Sequence, residues 1–224
     1  MTLAIQDGQT VVFIGDSITD ARRREGYPPL GVGYVKLFAD FALIREPHKR
    51  VTVHNLGING DRVNSGLPHI PQSGLTNRWA RDVLDLKPDW LAVMIGINDI
   101  TSNITPGVTP VTPDIYEETY DRLLADTRRA LPACRLLLLE PFHLVRGVPE
   151  DPKHQQIAAL LPAYLAAVHR LAAKHGTLLV RTHQRFQDLI AIHGAETFSP
   201  EAIHPNPTGH LVIAEEVYAA LSAR

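Results

Sequence analysis

The sequence predicts a three-layer α/β/α sandwich built on a five-stranded parallel sheet, and three observations lead there. Short apolar runs alternate five times with helix-like segments along the chain, the mark of a parallel sheet covered on both faces. Runs such as Thr10–Ile14 (TVVFI) and Trp90–Ile95 (WLAVMI) are β-branched or apolar at every position, as a strand buried on both faces requires. Each of the first three runs also stops in a glycine-bearing polar turn: GDS at Gly15, NLGINGD around Gly57 and GIND at Gly96. Parallel strands set such turns along one edge of the sheet, where residues distant in sequence can meet.

After the first strand, Gly33–Leu43 carries Val35, Phe38, Ala39 and Ala42 at the spacing of an amphipathic helix. The connecting loop is polar and rich in Gly and Pro; its Arg22-Arg23-Arg24 run reads as solvated surface or as a pocket rim beside Ser17. Val51–Leu56 alternates as a second strand, and a short helix that begins near Trp79 stops at Lys87-Pro88. Past the third strand, Ile100–Val111 lacks periodicity and reads as a loop. Thr112-Pro113 is an N-cap and first helical residue, with Ile115, Thr119, Leu123, Thr127 and Leu131 on one face of the helix that follows.

Arg135–Leu139 is the fourth strand, and a loop over Pro141–Pro152 leads to a helical region closed by Gly176, within which Pro162 must start, kink or divide the helix. Thr177–Val180 is the fifth strand and Gln184–Ile192 a short helix. Asn206 caps a last helix over Pro207–Leu221, with Leu211, Ala214, Val217 and Leu221 inward.

At 224 residues and 24.8 kDa the chain is expected to form a single domain, 1–224, able to bury a core without staples. The single cysteine, Cys134, precedes an apolar run and reads as a reduced, structural residue. A formal net charge of -2 and a pI near 6.6 give no electrostatic case for nucleic acid or an anionic membrane. The N-terminus lacks a basic segment followed by an apolar core, and no uninterrupted apolar run reaches about 18 residues. The expectation is a soluble, cytoplasmic protein. Eleven histidines include no H-E-x-x-H pair, and no cysteine cluster or glycine-rich phosphate loop accompanies them. No metal and no cofactor is therefore expected.

Ser17, on a glycine-hinged turn at a strand end, can present its hydroxyl to a crevice or cap the following helix; the tripeptide leaves both open. Ester hydrolysis needs a nucleophile, a base, a group that orients the base, and donors for the oxyanion. Ser17 and His204, in the loop before the last helix, are candidates for the first two. Backbone N–H groups of Ser17 and Gly57 and the amide of Asn98 are candidate oxyanion donors, a glycine suiting a backbone that approaches substrate closely.

Taken together, GDSITD, NLGINGD, GIND and a C-terminal x-x-H-P resemble the GDSL-type esterases, or SGNH hydrolases, whose four name residues map to Ser17, Gly57, Asn98 and His204. FIGDSITD, RWARDVLDLKPDW, MIGIND and PFHLVRGVPEDP are similar, more narrowly, to the intracellular acetylxylan esterases of that family. The resemblance implies a flavodoxin-like sheet, removal of acetyl groups from xylo-oligosaccharides without a cofactor, and a tendency to form homo-oligomers. One position departs from it. The family has aspartate three residues before the histidine, and here Glu201 stands there. Either Glu201 completes a triad, as glutamate does on other α/β folds, or Ser17 and His204 act as a dyad.

Candidate substrate contacts each have a structural reading beside them. Asp16 can instead bond turn N–H groups, Arg62 can instead pair with Asp61 in its loop, Trp79 can pack a helix on the sheet rather than stack on a sugar, and Asn59 can merely support its loop. The expected activity is serine-dependent removal of acetyl groups from a small carbohydrate or ester. Its rivals are an aryl-esterase, thioesterase or lysophospholipase with the same machinery, a catalytically inactive binding protein with Glu201 as its lesion, and a flavin or nucleotide binder on the same sheet.

Overall fold

The five apolar runs form one parallel sheet in the spatial order β2-β1-β3-β4-β5: β1 (Thr10–Gly15), β2 (Thr52–Gly57), β3 (Trp90–Met94), β4 (Arg135–Leu139) and β5 (Leu178–Val180). This is a computed structural model of the chain, which describes residues 2–64, 70, 73–145, 147 and 149–222. Arg146 and Val148 of the PFHLVRGVPEDP stretch lie outside the described residues. The register sets Gly15 level with Gly57 on one side and with Met94 on the other, so the polar turns leave the sheet along a common edge.

Helices α1 (Ser17–Asp20), α2 (Tyr34–Arg45), α3 (Leu75–Trp79), α4 (Ile97–Ser102), α5 (Pro113–Ala130), α6 (Pro152–His175), α7 (Thr182–His193) and α8 (Pro207–Ala220) complete the alternation. The step from β1 to β2 runs opposite to the steps β2 to β3, β4 and β5. Right-handed crossovers therefore send α2 to one face and α3, α5 and α6 to the other. The packing agrees, since α2 lies against α8 while α5 lies against α6 and α3. The reversal of strand order falls beside β1, where open sheets form their crevice, and Ser17 follows β1.

Val11, Val12, Phe13, Ile14, Leu91 and Val93 are wholly buried, which explains their unbroken apolar pattern. Phe13 packs on Tyr34 and Phe38 of α2, and Tyr116 on Tyr120 and Tyr164 beneath α5 and α6. Helix α6 is long and apolar enough to cross a membrane by length and composition. Its apolar side is spent on the fold, with Ile157, Leu161, Tyr164, Val168 and Leu171 buried.

Several boundaries differ from the sequence reading for identifiable reasons. The expected loop after β3 begins as α4, a helix too short for periodicity to reveal. Its turns are closed by side chains, with Thr101 Oγ1 donating to the Asn98 carbonyl and Ser102 Oγ to that of Asp99. Helix α3 starts at Leu75 rather than near Trp79, and α6 runs unbroken with Pro162 inside it. Ile115 and Leu211, expected inward, are exposed, while Thr119, Leu123 and Thr127 in α5 and Ala214, Val217 and Leu221 are buried as expected; Tyr116 and Tyr120 in α5 and Ile213 in α8 join those faces.

Gly57 is required for a contact within the fold. A Cβ there would collide with the backbone of Thr19 and Asp20 in α1, and backbone cannot step aside as a side chain can. Gly57→Ala is expected to cost about 1–3 kcal/mol through overpacking. Urea unfolding checks this, and an unchanged midpoint would contradict it.

Candidate active site

The turn after β1 answers the question the tripeptide left open. Asp16 is the N-cap of α1, its Oδ1 accepting from the Ile18 N–H at 3.0 Å, and it is buried. Burial pushes its carboxyl up to about 7, with the nearby Asp61 charge adding to the effect. Ser17, relieved of capping, stands half-buried in the first turn with its Oγ 3.0 Å from His204 Nε2. Residues 187 positions apart thus meet across the sheet edge.

His204 and Glu201 are joined locally. Glu201 Oε1 accepts from His204 Nδ1–H at 2.6 Å and from the His204 backbone N–H at 2.6 Å, while Oε2 accepts from the Ile203 N–H at 2.9 Å. A carboxylate on Nδ1 holds the ring as the Nδ1–H tautomer and leaves Nε2 to accept from Ser17 Oγ–H. The extra methylene of glutamate over aspartate is absorbed in the turn, where the carboxylate also ties down two backbone N–H groups. Ser199 Oγ sits between the carbonyls of Glu201 and His204, with its one proton within reach of either, and the Leu144 N–H donates to the Ala202 carbonyl at 2.8 Å. Asn206 then caps α8 through the Gly209 N–H at 3.0 Å.

The second and third turns are tied to each other. Asn98, in the first turn of α4, donates from Nδ2 to the Asp61 carbonyl at 3.1 Å. Beneath them lies Arg78, almost fully buried, whose Nη1 donates to the Leu56 carbonyl at 2.7 Å and whose Nη2 reaches the Gly15 carbonyl at 3.2 Å. The same guanidinium grips Asp61 Oδ2 at 2.6 and 2.9 Å and Asp82 Oδ2 at 2.9 Å. Burial pushes the Asp61 carboxyl up against the pull of Arg78. Asp99 is wholly buried, accepts from the Val63 N–H at 3.0 Å through Oδ1, and has no partner for Oδ2 among the described residues.

Four expectations from the sequence need correction. Gly57 does not offer a free oxyanion donor, because its N–H donates to Asn55 Oδ1 at 3.0 Å. Gly60, three residues on, has φ +75° and an N–H without a partner among the described residues. The Asn59-Gly60 pair is a turn signal that could have singled it out. Arg62 is buried and donates from Nη1 to the Thr109 carbonyl at 3.2 Å, while the ion pair of Asp61 is with Arg78. Trp79 is buried, its indole N–H donating to Thr127 Oγ1 at 2.9 Å, so no ring face is open to a sugar. Asp16, buried beneath α1, is likewise out of reach of substrate. Asn59 alone of the four candidate substrate contacts lines the cavity at Ser17, donating there to Glu25 Oε1 at 3.0 Å.

That cavity has a volume of about 530 Å³, and its walls include Ser17, Arg22, Glu25, Asn59, His204 and His210. A groove of equal volume between α5 and α6 is lined by Glu117, Asp121, Arg170 and Lys174. There the charges pair across the helices, Arg170 with Glu117 and Lys174 with Asp121, and no nucleophile faces it. Of these two, the cavity at Ser17 holds the serine and histidine that are bonded to each other. Among the described residues no three His, Cys, Asp or Glu side chains are placed to hold a metal ion.

Comparison with known proteins places the chain in a family of esterases. The model of the GDSL-like lipase/acylhydrolase family matches residues 13–212. An acetylxylan esterase of Geobacillus stearothermophilus is 30% identical over 220 residues, spanning 95% of this chain and 93% of that protein. The crystal structure of Axe2, an acetylxylan esterase from the same organism, superposes with a TM-score of 0.82 at 27% identity, covering 98% of this chain and 97% of the other. A putative GDSL-like lipase from Parabacteroides merdae gives a TM-score of 0.85 at 26% identity over 99% of each chain.

The buried carboxyls have a measurable consequence. Burial lifts Asp99 to about 8, with the charges of Asp16 and Asp61 adding to it. A carboxyl raised above its unfolded value near 3.9 stabilises the fold at low pH and loses that contribution as pH rises through its folded value. Stability should therefore decline between about pH 4 and 8, and Asp99→Asn, neutral throughout, should flatten the decline. Urea unfolding at stepped pH measures it; parallel curves for the two proteins would contradict it.

Proposed function

The chain belongs to the GDSL-like lipase/acylhydrolase family and is an esterase, and from that premise we propose that it removes O-acetyl groups from carbohydrates through an acyl-enzyme on Ser17. The observation that carries the proposal is the continuous relay from Glu201 Oε1 to His204 Nδ1 at 2.6 Å and from His204 Nε2 to Ser17 Oγ at 3.0 Å. Both bonds lie within the reach that proton transfer needs. Three Axe2 structures are of catalytic mutants, with alanine in place of a serine, an aspartate and a histidine, the aspartate three residues before the histidine. Glu201 stands three residues before His204, which supports reading it as the third member here.

In this scheme Ser17 Oγ attacks the acetyl carbonyl carbon while His204 Nε2 takes its proton. The carbonyl oxygen becomes an oxyanion, and the N–H groups of Ser17 and Gly60 with the Asn98 amide stabilise it. As the tetrahedral intermediate collapses, the bond from the acyl carbon to the sugar oxygen breaks, and that oxygen receives the proton from His204. Water, deprotonated by His204, then attacks the acetyl carbon; the bond from that carbon to Ser17 Oγ breaks, Oγ takes back the proton from His204, and acetate leaves. Glu201 neutralises the imidazolium formed in each half. Because Glu201 and His204 are both exposed, their pairing adds little to fold stability; its effect is on ring orientation and on transition-state charge.

Acetate release from a panel of acetylated xylo-oligosaccharides, p-nitrophenyl acetate and longer acyl esters tests the substrate. Acetyl esters of sugars should turn over fastest, and a preference for long acyl chains would replace this reading with a lipase. Ser17→Ala should abolish turnover and leave unfolding unchanged, since loss of a triad nucleophile costs orders of magnitude. More than a few per cent of residual rate would refute the assignment.

The carboxylate is tested separately. Glu201→Gln should lose rate by a factor approaching about 10⁴, as when a triad acid becomes its amide. Glu201→Asp should keep partial activity if the turn closes over the missing methylene. Near wild-type kcat in both Gln and Ala variants would leave Ser17 and His204 as a dyad.

A further inference from the structure

His210 lies in the first turn of α8, six residues past His204, and takes no part in the hydrolysis scheme. Its position relative to the acyl group can be worked out from the cavity walls. Neither Gly60 nor Asn98 lines the cavity, whereas His204, Pro205, Pro207 and His210 do. The acetyl oxygen must face Gly60 and Asn98, and the departing oxygen must face His204, which protonates it. The cavity is therefore the site of the alcohol being released. At about 530 Å³ it is far larger than an acetyl group needs and falls within the range of small-molecule sites.

The ring of His210 is held in a defined state. The Tyr34 N–H, at the start of α2, donates to its Nδ1 at 3.3 Å. Burial holds its pKa well down, at about 4, with the neighbouring His204 contributing, so the ring is neutral across ordinary working pH. A neutral imidazole that accepts at Nδ1 carries its proton on Nε2. Nε2 has no hydrogen-bond partner among the described residues, and it is not sealed in the interior. Gly33 makes the room, since a Cβ there would stand 2.8 Å from His210 Cε1 and 2.9 Å from Nδ1. One edge of the ring thus completes the N-terminus of α2, where Gly33 has no side chain to cap, and the other is left as a donor on the cavity wall. Glu25 and Asn59 form a polar pair on the same wall system.

We infer that His210 is a specificity-determining residue for the leaving alcohol, its Nε2–H donating to an oxygen of a polyhydroxylated ring held in the cavity. The inference rests on the esterase reading of Ser17 and His204. A neutral donor suits this task because it recognises hydroxyl and ring oxygens and is lost to the substrate if the proton moves to Nδ1.

The test compares two esters on three proteins. Acetylated xylo-oligosaccharides carry several oxygens in the leaving alcohol; phenyl acetate has none besides the one released. His210→Phe should lower kcat/KM on the sugar ester about 10-fold, chiefly through KM, and leave phenyl acetate within about 2-fold, the scale of one lost hydrogen bond. His210→Gln, whose amide can accept from the Tyr34 N–H and still donate into the cavity, should recover most of the loss. An equal loss on both esters, or none on either, would overturn the inference, as would a Gln variant no better than Phe. Thermal unfolding is followed alongside: a role confined to the Tyr34 N–H would lower the melting temperature without separating the esters. Should His210→Phe fail to fold, His210→Asn, too short to reach both partners, takes its place in the same comparison. If the unmodified protein releases acid from neither ester, the esterase reading itself falls, and the assignment of His210 with it.

Discussion

The reactive edge depends on one buried cation. Arg78 brings its guanidinium under the ends of β1 and β2, and its donors go to the Gly15 and Leu56 carbonyls and to the carboxylates of Asp61 and Asp82. In a low-dielectric interior such charge-assisted bonds are strong and directional. Removing the guanidinium would leave Asp61 buried without its countercharge, a change that typically costs about 3–5 kcal/mol. Through the Asp61 carbonyl the same anchor reaches Asn98, and through the chain it reaches Gly60. Three turns from three strands are thereby held to one another before any substrate arrives.

His204 is positioned by different means. Glu201 and His204 occupy one short turn, and the carboxylate orders that turn by taking two backbone N–H groups as well as the ring. The bond from Ser17 to His204 then joins this turn to the end of β1. In the proposed mechanism, preorganisation is thus split between a buried ionic anchor beneath Gly60 and Asn98 and an exposed local turn that carries His204. The first resists solvent by burial; the second works by geometry, because exposed charges are screened.

Much of this was legible in the residues. Short, β-branched apolar runs that stop on glycine fit strands buried on both faces better than helices, and their alternation with helices leaves few topologies. Ser17 and His204 became candidates through the resemblance of GDSITD and the C-terminal x-x-H-P to the family's blocks, since the tripeptide alone left capping open, and Glu201 through the place it takes in that pattern, three residues before His204. What sequence could not show was which polar groups are spent inside. Gly57 and Gly60 both punctuate NLGINGD, and only the packing of α1 and the Asn55 side chain show that the first serves the fold. Trp79 and Arg62 look like recognition residues on paper, yet both are buried on internal partners. His210 has no sequence signature, because a histidine on an amphipathic helix carries no signal until the Tyr34 N–H that faces it, and the glycine that makes room for it, are known.

The account stands or falls on a covalent bond to one oxygen. Rapid mixing of the protein with acetylated xylo-oligosaccharide, acid quenching within the first turnover and peptide mass spectrometry would look for it directly. An acetyl group on Ser17, appearing before steady state and absent from Ser17→Ala, is the result the account predicts. Steady turnover with no acyl adduct at any time, or an adduct on another residue, would contradict it.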